Sequence, residues 1–198
     1  MLVSVVLPSF NQVKYIERTL NSIINQSYKN IELIIIDGGS TDGTLEVIKK
    51  YSSNISYFIS EKDNGQYEAA NKGFLSVNGE IVFYLNTDDM LYSDNIISLI
   101  VTKFLKNPKI DAYYGSNIYI DENDFVLFFR KNLPFHCFAL FRVWNYMHHP
   151  AVVFRKGVLN KVSFNTQIKY AGDYDFLLNL AKNFVIKPFS FIVTASRW

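Results

Sequence analysis

The stretch Ile81-Val82-Phe83-Tyr84-Leu85-Asn86-Thr87-Asp88-Asp89 decides how this chain folds. Its first five residues are apolar and rich in β-forming side chains, which predicts a buried strand. Asp88 and Asp89 then follow the carboxyl end of that strand, which is where an open α/β sheet binds its ligands. Oxygen ligands suit Mg²⁺ or Mn²⁺, and such an ion can be shared with substrate phosphates. The alternative is that both carboxylates only end the strand and cap the helix that opens near Ser93.

Apolar runs and amphipathic stretches alternate before and after this segment. The predicted strands are Leu2–Leu7, Ile31–Ile36, Ile55–Ile59 and Ile81–Leu85, and helices are predicted at about 13–25, 44–51, 66–77 and 95–105. From Asp111 onward the segments become aromatic and strand-like, with a short helix predicted at 156–160 and a longer one at 173–182. This pattern predicts an α/β fold, in which a Rossmann-like, mostly parallel central sheet is flanked by helices in one domain, 1–198.

Composition narrows the class of protein. A chain of 198 residues with 49% hydrophobic residues can bury a sizeable core in one domain. A net charge of +2 with dispersed lysines argues against nucleic acid as a partner. Cys137 is the single cysteine, which excludes an intramolecular disulfide and a cysteine-based zinc site and suits a reducing compartment.

The apolar start of the chain is too short to direct it into a membrane. Residues 1–7 lack a charged leader and a cleavage site, and Pro8 interrupts them early. No segment approaches the ~20 apolar residues that cross a bilayer. We therefore expect a cytoplasmic protein, with any membrane contact limited to peripheral attachment at the inner face.

Three loops follow predicted strands at the same edge of the sheet. Pro8-Ser9-Phe10-Asn11 follows the first strand and offers backbone groups and a ring to a planar base. Asp37 ends the second strand and can accept hydrogen bonds from a ribose or base, while the glycines after it permit close backbone approach. The segment 86–89 ends the fourth strand. For Asn11, Asp37 and Asp42, a role in turns or helix caps is the alternative.

Taken together and in this order, the motifs resemble the family 2 glycosyltransferases, the inverting group with the GT-A fold. The opening Val3-Ser4-Val5-Val6-Leu7-Pro8-Ser9-Phe10-Asn11 is similar to that family's first strand and loop. The same holds for Asp37-Gly38-Gly39-Ser40-Thr41-Asp42-Gly43, for Asn64-Gly65 with Ala70-Asn71-Lys72-Gly73, and for Asn86-Thr87-Asp88-Asp89, which matches the Asp-x-Asp metal motif. The resemblance covers about the first half of the chain and is highly specific.

The resemblance implies a nucleotide-sugar donor, most often a UDP-sugar, bound by the first half of the chain. The implied nucleotide-binding residues are Pro8, Ser9, Phe10, Asn11, Asp37, Gly65, Asn71, Lys72, Asn86 and Asp88. The implied ligands of Mn²⁺ or Mg²⁺ are Asp88, Asp89 and His149. Asn86 stands where the first acidic residue of the metal motif is usual, which leaves open how Asp88 and Asp89 divide their roles.

In the second half, Gly172-Asp173-Tyr174-Asp175 resembles the block that carries the family's catalytic base. Asp173 would be the base, and Gly172 replaces the usual Glu. A carboxylate suits the task, since an acceptor hydroxyl must lose a proton as it attacks the anomeric carbon. The alternative for Asp173 is an N-cap of its helix, and for His149 a structural histidine.

The expected function is an inverting, metal-dependent transfer of sugar to a hydroxyl of a glycan or lipid-linked acceptor in cell-surface polysaccharide synthesis. Residues 1–110 would bind the nucleotide-sugar, and 111–198 would hold the acceptor and the base. Two alternatives remain. One is a sugar nucleotidyltransferase, although the sequence has no Gly-rich, basic phosphate loop after the first strand. The other is a noncatalytic or partner-dependent nucleotide-sugar binding module. The aromatic stretch 133–146 is interpreted as core packing, an acceptor flap or a membrane-facing patch.

Overall fold

The computed structural model describes residues 1–135 and 147–198. Its strands are β1 (Val3–Ser9), β2 (Ile31–Asp37), β3 (Tyr57–Ser60), β4 (Ile81–Tyr84), β5 (Met90–Leu91), β6 (Ala112–Ile120), β7 (Val126–Arg130), β8 (Val152–Arg155) and β9 (Ile186–Arg197). Its α-helices are α1 (Ile16–Ile24), α2 (Thr44–Lys50), α3 (Gln66–Leu75), α4 (Ile96–Lys106) and α5 (Gly172–Asn183). Short 3₁₀ turns cover Ser52–Asn54, His149–Ala151 and Lys156–Asn160.

The nine strands form one mixed sheet in the order β3-β2-β1-β4-β8-β6-β9-β5, with β7 paired to β6. The first four strands are parallel, as the sequence predicts, because a helix connects each of the first three to the strand that follows it. The later half mixes directions: β8 runs antiparallel to β4 and β6, whereas β9 runs parallel to β6. The predicted α/β class is confirmed, and the parallel arrangement belongs mainly to the first half.

Helices cover both faces of the sheet. Residues of β1 and β2 alternate between the faces, so that Leu7 and Ile35 join one apolar cluster while Val6 and Ile34 join the other. The first cluster also contains the buried sides of α1, α2 and α4, and the second contains those of α3 and α5. Because both faces are buried, the central strands read as continuous apolar runs.

The parallel strands place their carboxyl ends at one edge of the sheet. Ser9 pairs with Asp37 across β1 and β2, and Asp37 pairs with Ser60 across β2 and β3. Leu85 continues β4 by donating its backbone N–H to the Val6 carbonyl. The loops after β1, β2, β3 and β4 therefore meet at this edge.

Within the part of the chain that the structure describes, no helix has the length and apolar character required to cross a bilayer. The aromatic stretch 133–146 lies mostly outside the described residues. Of its described part, Leu133 is exposed and accepts a hydrogen bond from the Tyr114 hydroxyl at its carbonyl, and Phe135 packs against the second cluster.

Candidate functional site

A cleft of about 660 Å³ opens at the carboxyl edge of the parallel strands. This volume lies within the ~300–1,000 Å³ range of small-molecule sites. The cleft is lined by residues from four loops and from the start of α3: Pro8, Ser9, Phe10, Gln12, Gly38, Gly39, Lys62, Asp63, Gly65, Gln66, Ala69, Asn86, Thr87 and Asp88. Six of the predicted nucleotide-binding residues are thus brought together: Pro8, Ser9, Phe10, Gly65, Asn86 and Asp88.

The loop after β2 approaches the cleft through its glycines. Gly39 has a φ of 85°, which favours glycine, and a Cβ on Gly38 would stand 3.0 Å from the Asp63 carboxylate oxygens. Asp37 itself is fully buried and does not line the cleft. Its carboxylate accepts hydrogen bonds from the backbone N–H groups of Gly39 and Ser40 at 3.0 and 2.8 Å, and from the hydroxyls of Ser40 and Ser60. In this structure Asp37 therefore stabilises the loop after β2 without lining the cleft.

Three other predicted nucleotide-binding residues also lie outside the cleft lining. Asn11 accepts a hydrogen bond from the Thr41 N–H at its side-chain oxygen, 2.9 Å. Asn71 exchanges two hydrogen bonds with the backbone of Phe164, at 2.9 and 3.0 Å. Lys72 forms ion pairs with Glu61 and Glu68, both at 2.9 Å. These contacts hold loops and helices together, and direct contact of the three side chains with a nucleotide stays a prediction.

The two adjacent carboxylates have different surroundings. Asp88 lines the cleft, whereas Asp89 is only 3% exposed. Asp89 accepts hydrogen bonds from the backbone N–H of Arg197 at 3.2 Å and from the side-chain amide of Asn86 at 3.1 Å. Burial, with the nearby Asp88 charge, raises the pKa of Asp89 to about 7, and burial also raises the pKa of Asp88.

Asn86 connects the segment 86–89 to the second half of the chain. Its side-chain nitrogen lies 3.3 Å from Nε2 of His149, and Nδ1 of His149 lies 3.4 Å from Oδ2 of Asp173. Because the Asn86 amide donates toward Nε2, the arrangement assigns the ring proton to Nδ1, where it faces Asp173. The hydrogen bond to His149 is the main cause that lowers the pKa of Asp173. Asp173 is therefore a carboxylate at neutral pH.

Asp173 occupies the first turn of α5, and its helix begins without a side-chain cap from the preceding residue. The predicted alternative, in which Asp173 is itself the N-cap, is wrong for this helix, since the residue at the cap position is Ala171. His148 takes a structural place, with Nδ1 3.2 Å from the Tyr119 hydroxyl and a pKa lowered by burial to about 3.

Two oxygen-bearing side chains among the described residues are suited to bind a divalent ion. Within residues 1–135 and 147–198, no three His, Cys, Asp or Glu side chains are grouped to hold a metal by themselves. The Asp88 carboxylate nevertheless faces the cleft, and Oδ1 of Asn86 is buried without a hydrogen-bond partner among the described residues. Two hard oxygen donors suit an ion that takes its remaining ligands from phosphates and water. His149 and Asp89, the other two predicted ligands, have partners for their polar atoms.

Sequence reasoning missed four polar or charged side chains of the cleft, and one side chain outside it. Gln12, Lys62, Asp63 and Gln66 line the cleft. Lys62 and Asp63 carry a usable signal, because they follow β3 and so reach the same edge as the other loops. Tyr67, whose hydroxyl contacts the start of α5, carries no such signal, since its partners Gly172 and Asp173 lie over a hundred residues away.

Comparison with known proteins identifies the family and the fold. The model of the family described as "Glycosyl transferase family 2" matches residues 4–163. The chain is 30% identical to the chondroitin synthase of Escherichia coli over 193 residues, which is 96% of this chain and 28% of that protein. It spans 19% to 57% of the lengths of the first four curated relatives that it matches.

Solved structures share the fold. Residues 1–349 of TarS from S. aureus superpose with a TM-score of 0.81 at 21% identity, covering 100% of this chain and 60% of that one. TarS has also been solved in complex with UDP-GlcNAc. The mannosyltransferase PcManGT of Pyrobaculum calidifontis, in complex with GDP-Man and Mn²⁺, superposes with a TM-score of 0.71 at 18% identity, covering 98% of this chain and 56% of that one. These matches confirm the expected GT-A fold.

Proposed function

This chain belongs to glycosyl transferase family 2, and we propose that it is the donor-binding and catalytic domain of an inverting, metal-dependent glycosyltransferase. The donor is a nucleotide-sugar, and the acceptor group is a hydroxyl of a glycan or a lipid-linked saccharide. Residues 1–110 bind the donor, and residues 111–198 contribute the base and the acceptor side.

The observation that carries the proposal is the connection between the cleft and Asp173. Asp88 and Asn86 both line the cleft. Asn86 reaches His149 at 3.3 Å, and His149 reaches Asp173 at 3.4 Å. A donor whose diphosphate lies at Asp88 would therefore present its sugar close to a carboxylate that is oriented and ionised. This is the arrangement that a single displacement with inversion requires.

The protein groups divide the chemistry between them. Asp173 accepts the proton of the acceptor hydroxyl while the hydroxyl oxygen forms a bond to the anomeric carbon. The bond from that carbon to the diphosphate oxygen breaks, and the nucleoside diphosphate leaves with the electron pair. His149 donates its Nδ1–H to Asp173 and so fixes the carboxylate that takes the proton, which supports a positioning role for this histidine.

Asp88 and Oδ1 of Asn86 would hold the divalent ion, Mn²⁺ or Mg²⁺, together with donor phosphates. When bound, the ion offsets the negative charge that develops on the leaving diphosphate. Asp89 accepts a hydrogen bond from Asn86 at 3.1 Å. This contact orients the Asn86 amide, and it supports a role for Asp89 as a brace for the ligands.

The comparisons support a UDP-sugar as the donor and a polysaccharide pathway as the setting. TarS has been solved with UDP-GlcNAc, and a relative at 30% identity is named chondroitin synthase. Lys62 also lines the cleft, and its ammonium group can pair with a diphosphate. Attachment of the protein to the inner membrane face is part of the same proposal, since a lipid-linked acceptor would lie there.

Isothermal calorimetry with UDP, GDP and dTDP, each with and without Mn²⁺, tests the donor site. We expect one nucleotide to bind in a metal-dependent manner and Asp88→Asn to weaken that binding by about ten-fold to a hundred-fold, the cost of one charge-assisted contact. Asp94→Asn, at an exposed aspartate outside the cleft, is the matched control and should bind like the wild type.

Two other results would redirect the proposal. Binding of a nucleotide with no release of UDP from UDP-GlcNAc, and no transfer to any saccharide acceptor, would favour a noncatalytic or partner-dependent binding module. If none of the three nucleotides bound with or without Mn²⁺, the donor site itself would be refuted.

A further inference from the structure

The helix that carries Asp173 has no capping side chain of its own. The residue at its N-cap position is Ala171, in a left-handed conformation with a φ of 59°. The first backbone N–H groups of a helix have no partner inside it, and alanine offers no oxygen to accept them. Here the N–H groups of Gly172 and Asp173 both donate to the hydroxyl oxygen of Tyr67, at 3.0 and 3.3 Å. A phenol from α3 thus takes the place of the missing cap.

At position 172, only glycine leaves room for the Tyr67 ring. A Cβ at position 172 would stand 2.5 Å from Cε2, 2.8 Å from Cζ and 2.9 Å from Cδ2 of the Tyr67 ring. Such distances are far below van der Waals contact, and the atoms concerned belong to a rigid ring. Any larger residue at 172 would therefore have to push the ring out of its place.

The ring has little freedom to move away. It stacks on Phe164 with centroids 5.0 Å apart and an angle of 18° between the planes. Phe164 in turn stacks on Phe176 of α5, with centroids 4.6 Å apart. Tyr67 is thus held between the backbone at the start of α5 and an aromatic stack that leads back to the same helix.

The consequence concerns the position of the reacting carboxylate. Asp173 supplies one of the two amides that Tyr67 binds, so the backbone from which the carboxylate extends is fixed at that point. Gln66, which precedes Tyr67 in the same turn of α3, lines the donor cleft. One helical turn therefore contacts both the donor cleft and the base.

We propose that Tyr67 and Gly172 form an interlock between α3 and α5 that positions the Asp173 carboxylate relative to the donor cleft, with Tyr67 as a positioning residue. The role of the interlock in catalysis rests on the proposed function of Asp173. If Tyr67 served only to fill space, its ring would suffice and its hydroxyl would be dispensable. The hydroxyl and the missing Cβ of Gly172 are therefore the two features to change.

Amide hydrogen exchange, read by NMR, tests the interlock without any substrate. Tyr67→Phe keeps the ring and its stacking and removes only the oxygen. We expect the amides of Gly172 and Asp173 to exchange at least about ten-fold faster, as the loss of one hydrogen bond predicts, while the amides of β1 and β2 keep their rates. Tyr51→Phe is the control, because its hydroxyl contacts Glu17 and Asn21 at 3.1 and 3.3 Å, outside the site. Equal rates in the two variants would overturn the interlock.

Steady-state release of UDP from UDP-GlcNAc with Mn²⁺, with water or a saccharide as acceptor, tests the positioning role. We expect Tyr67→Phe to lower kcat by about ten-fold or more with a donor KM within about two-fold of the wild type, and Tyr51→Phe to change neither. An unchanged kcat in Tyr67→Phe would overturn the positioning role, even if exchange at the two amides increased.

A double-mutant cycle tests the steric contact between position 172 and the Tyr67 ring separately from the hydrogen bonds. Gly172→Ala should lower kcat in the wild type but add little in a Tyr67→Ala background, because the ring that the new Cβ displaces is then absent. An equal loss in both backgrounds would refute the steric interlock. Full turnover by Asp173→Asn, or no turnover by the wild type, would instead refute the proposed base or reaction. The exchange rates would still decide whether the interlock exists.

Discussion

The proposed donor cleft and the proposed base, Asp173, are assembled by different kinds of contact. The cleft is built on backbone hydrogen bonds: β1, β2, β3 and β4 run parallel, and their registers bring Ser9 beside Asp37 and Asp37 beside Ser60. The base depends on side chains. His149 lies 3.4 Å from Asp173, and Asn86 lies 3.3 Å from His149, although the three residues come from separate parts of the chain.

This difference predicts different responses to substitution. Removal of one side chain at the cleft leaves the strand register unchanged, because the ladder of backbone hydrogen bonds remains. Removal of one side chain at the base leaves a partner without its hydrogen bond and the carboxylate without its orientation. Single substitutions in the second half should therefore abolish chemistry while they spare nucleotide binding.

Asp173→Asn is the sharpest test of this separation and should have the largest effect. An amide cannot accept the acceptor proton, so we expect transfer, or UDP release from UDP-GlcNAc, to fall by about 10²–10⁴-fold. Nucleotide affinity, measured by calorimetry, should stay within about two-fold of the wild type. Asp175→Asn is the matched control, since it removes a carboxylate from the same first turn of α5. Parallel losses of binding and turnover in Asp173→Asn would contradict a separate base.

The cleft could be predicted from the sequence to a large extent. The apolar runs that become β1, β2 and β4 lie in parallel strands, and the residues after such strands meet at one edge whatever else the chain does. Pro8, Ser9, Phe10 and Asn86 follow or end such strands, and all of them line the cleft.

The direction of individual carboxylates could not be predicted. Asp88 and Asp89 are adjacent carboxylates after the same apolar strand, yet Asp88 faces the cleft and Asp89 faces the interior. The Asp89 carboxylate accepts a hydrogen bond there from the backbone N–H of Arg197, on the last strand. A contact across more than a hundred residues leaves no periodic trace in a sequence, and the same holds for Tyr67 with Gly172.

Asn71→Ala probes the junction between the two regions and should have an intermediate effect. The Asn71 side chain joins α3 to the segment before α5 through two hydrogen bonds with the Phe164 backbone. Alanine would leave a backbone N–H and a carbonyl without these partners, so we expect the free energy of unfolding to fall by about 1–3 kcal/mol. Urea denaturation measures this change. A wild-type value would show that the junction does not depend on Asn71, and the contrast between the two regions would lose one of its links.

Lys72→Gln, at the neighbouring position on α3, should have the smallest effect. Lys72 pairs with Glu61 and Glu68 at a surface where these three side chains are 30%, 49% and 27% exposed. The hydrogen bonds that Lys72 donates to Glu61 and Glu68 raise its pKa, but water screens pairs of this kind, so we expect the free energy of unfolding to change by no more than about 0.5 kcal/mol. The family resemblance, in contrast, assigns Lys72 to the nucleotide. A ten-fold loss of UDP affinity in calorimetry at unchanged stability would favour that assignment and would extend the donor site beyond the cleft. An affinity within about three-fold of the wild type would confine Lys72 to the helix surface and leave the donor site to the strand-end loops and the start of α3.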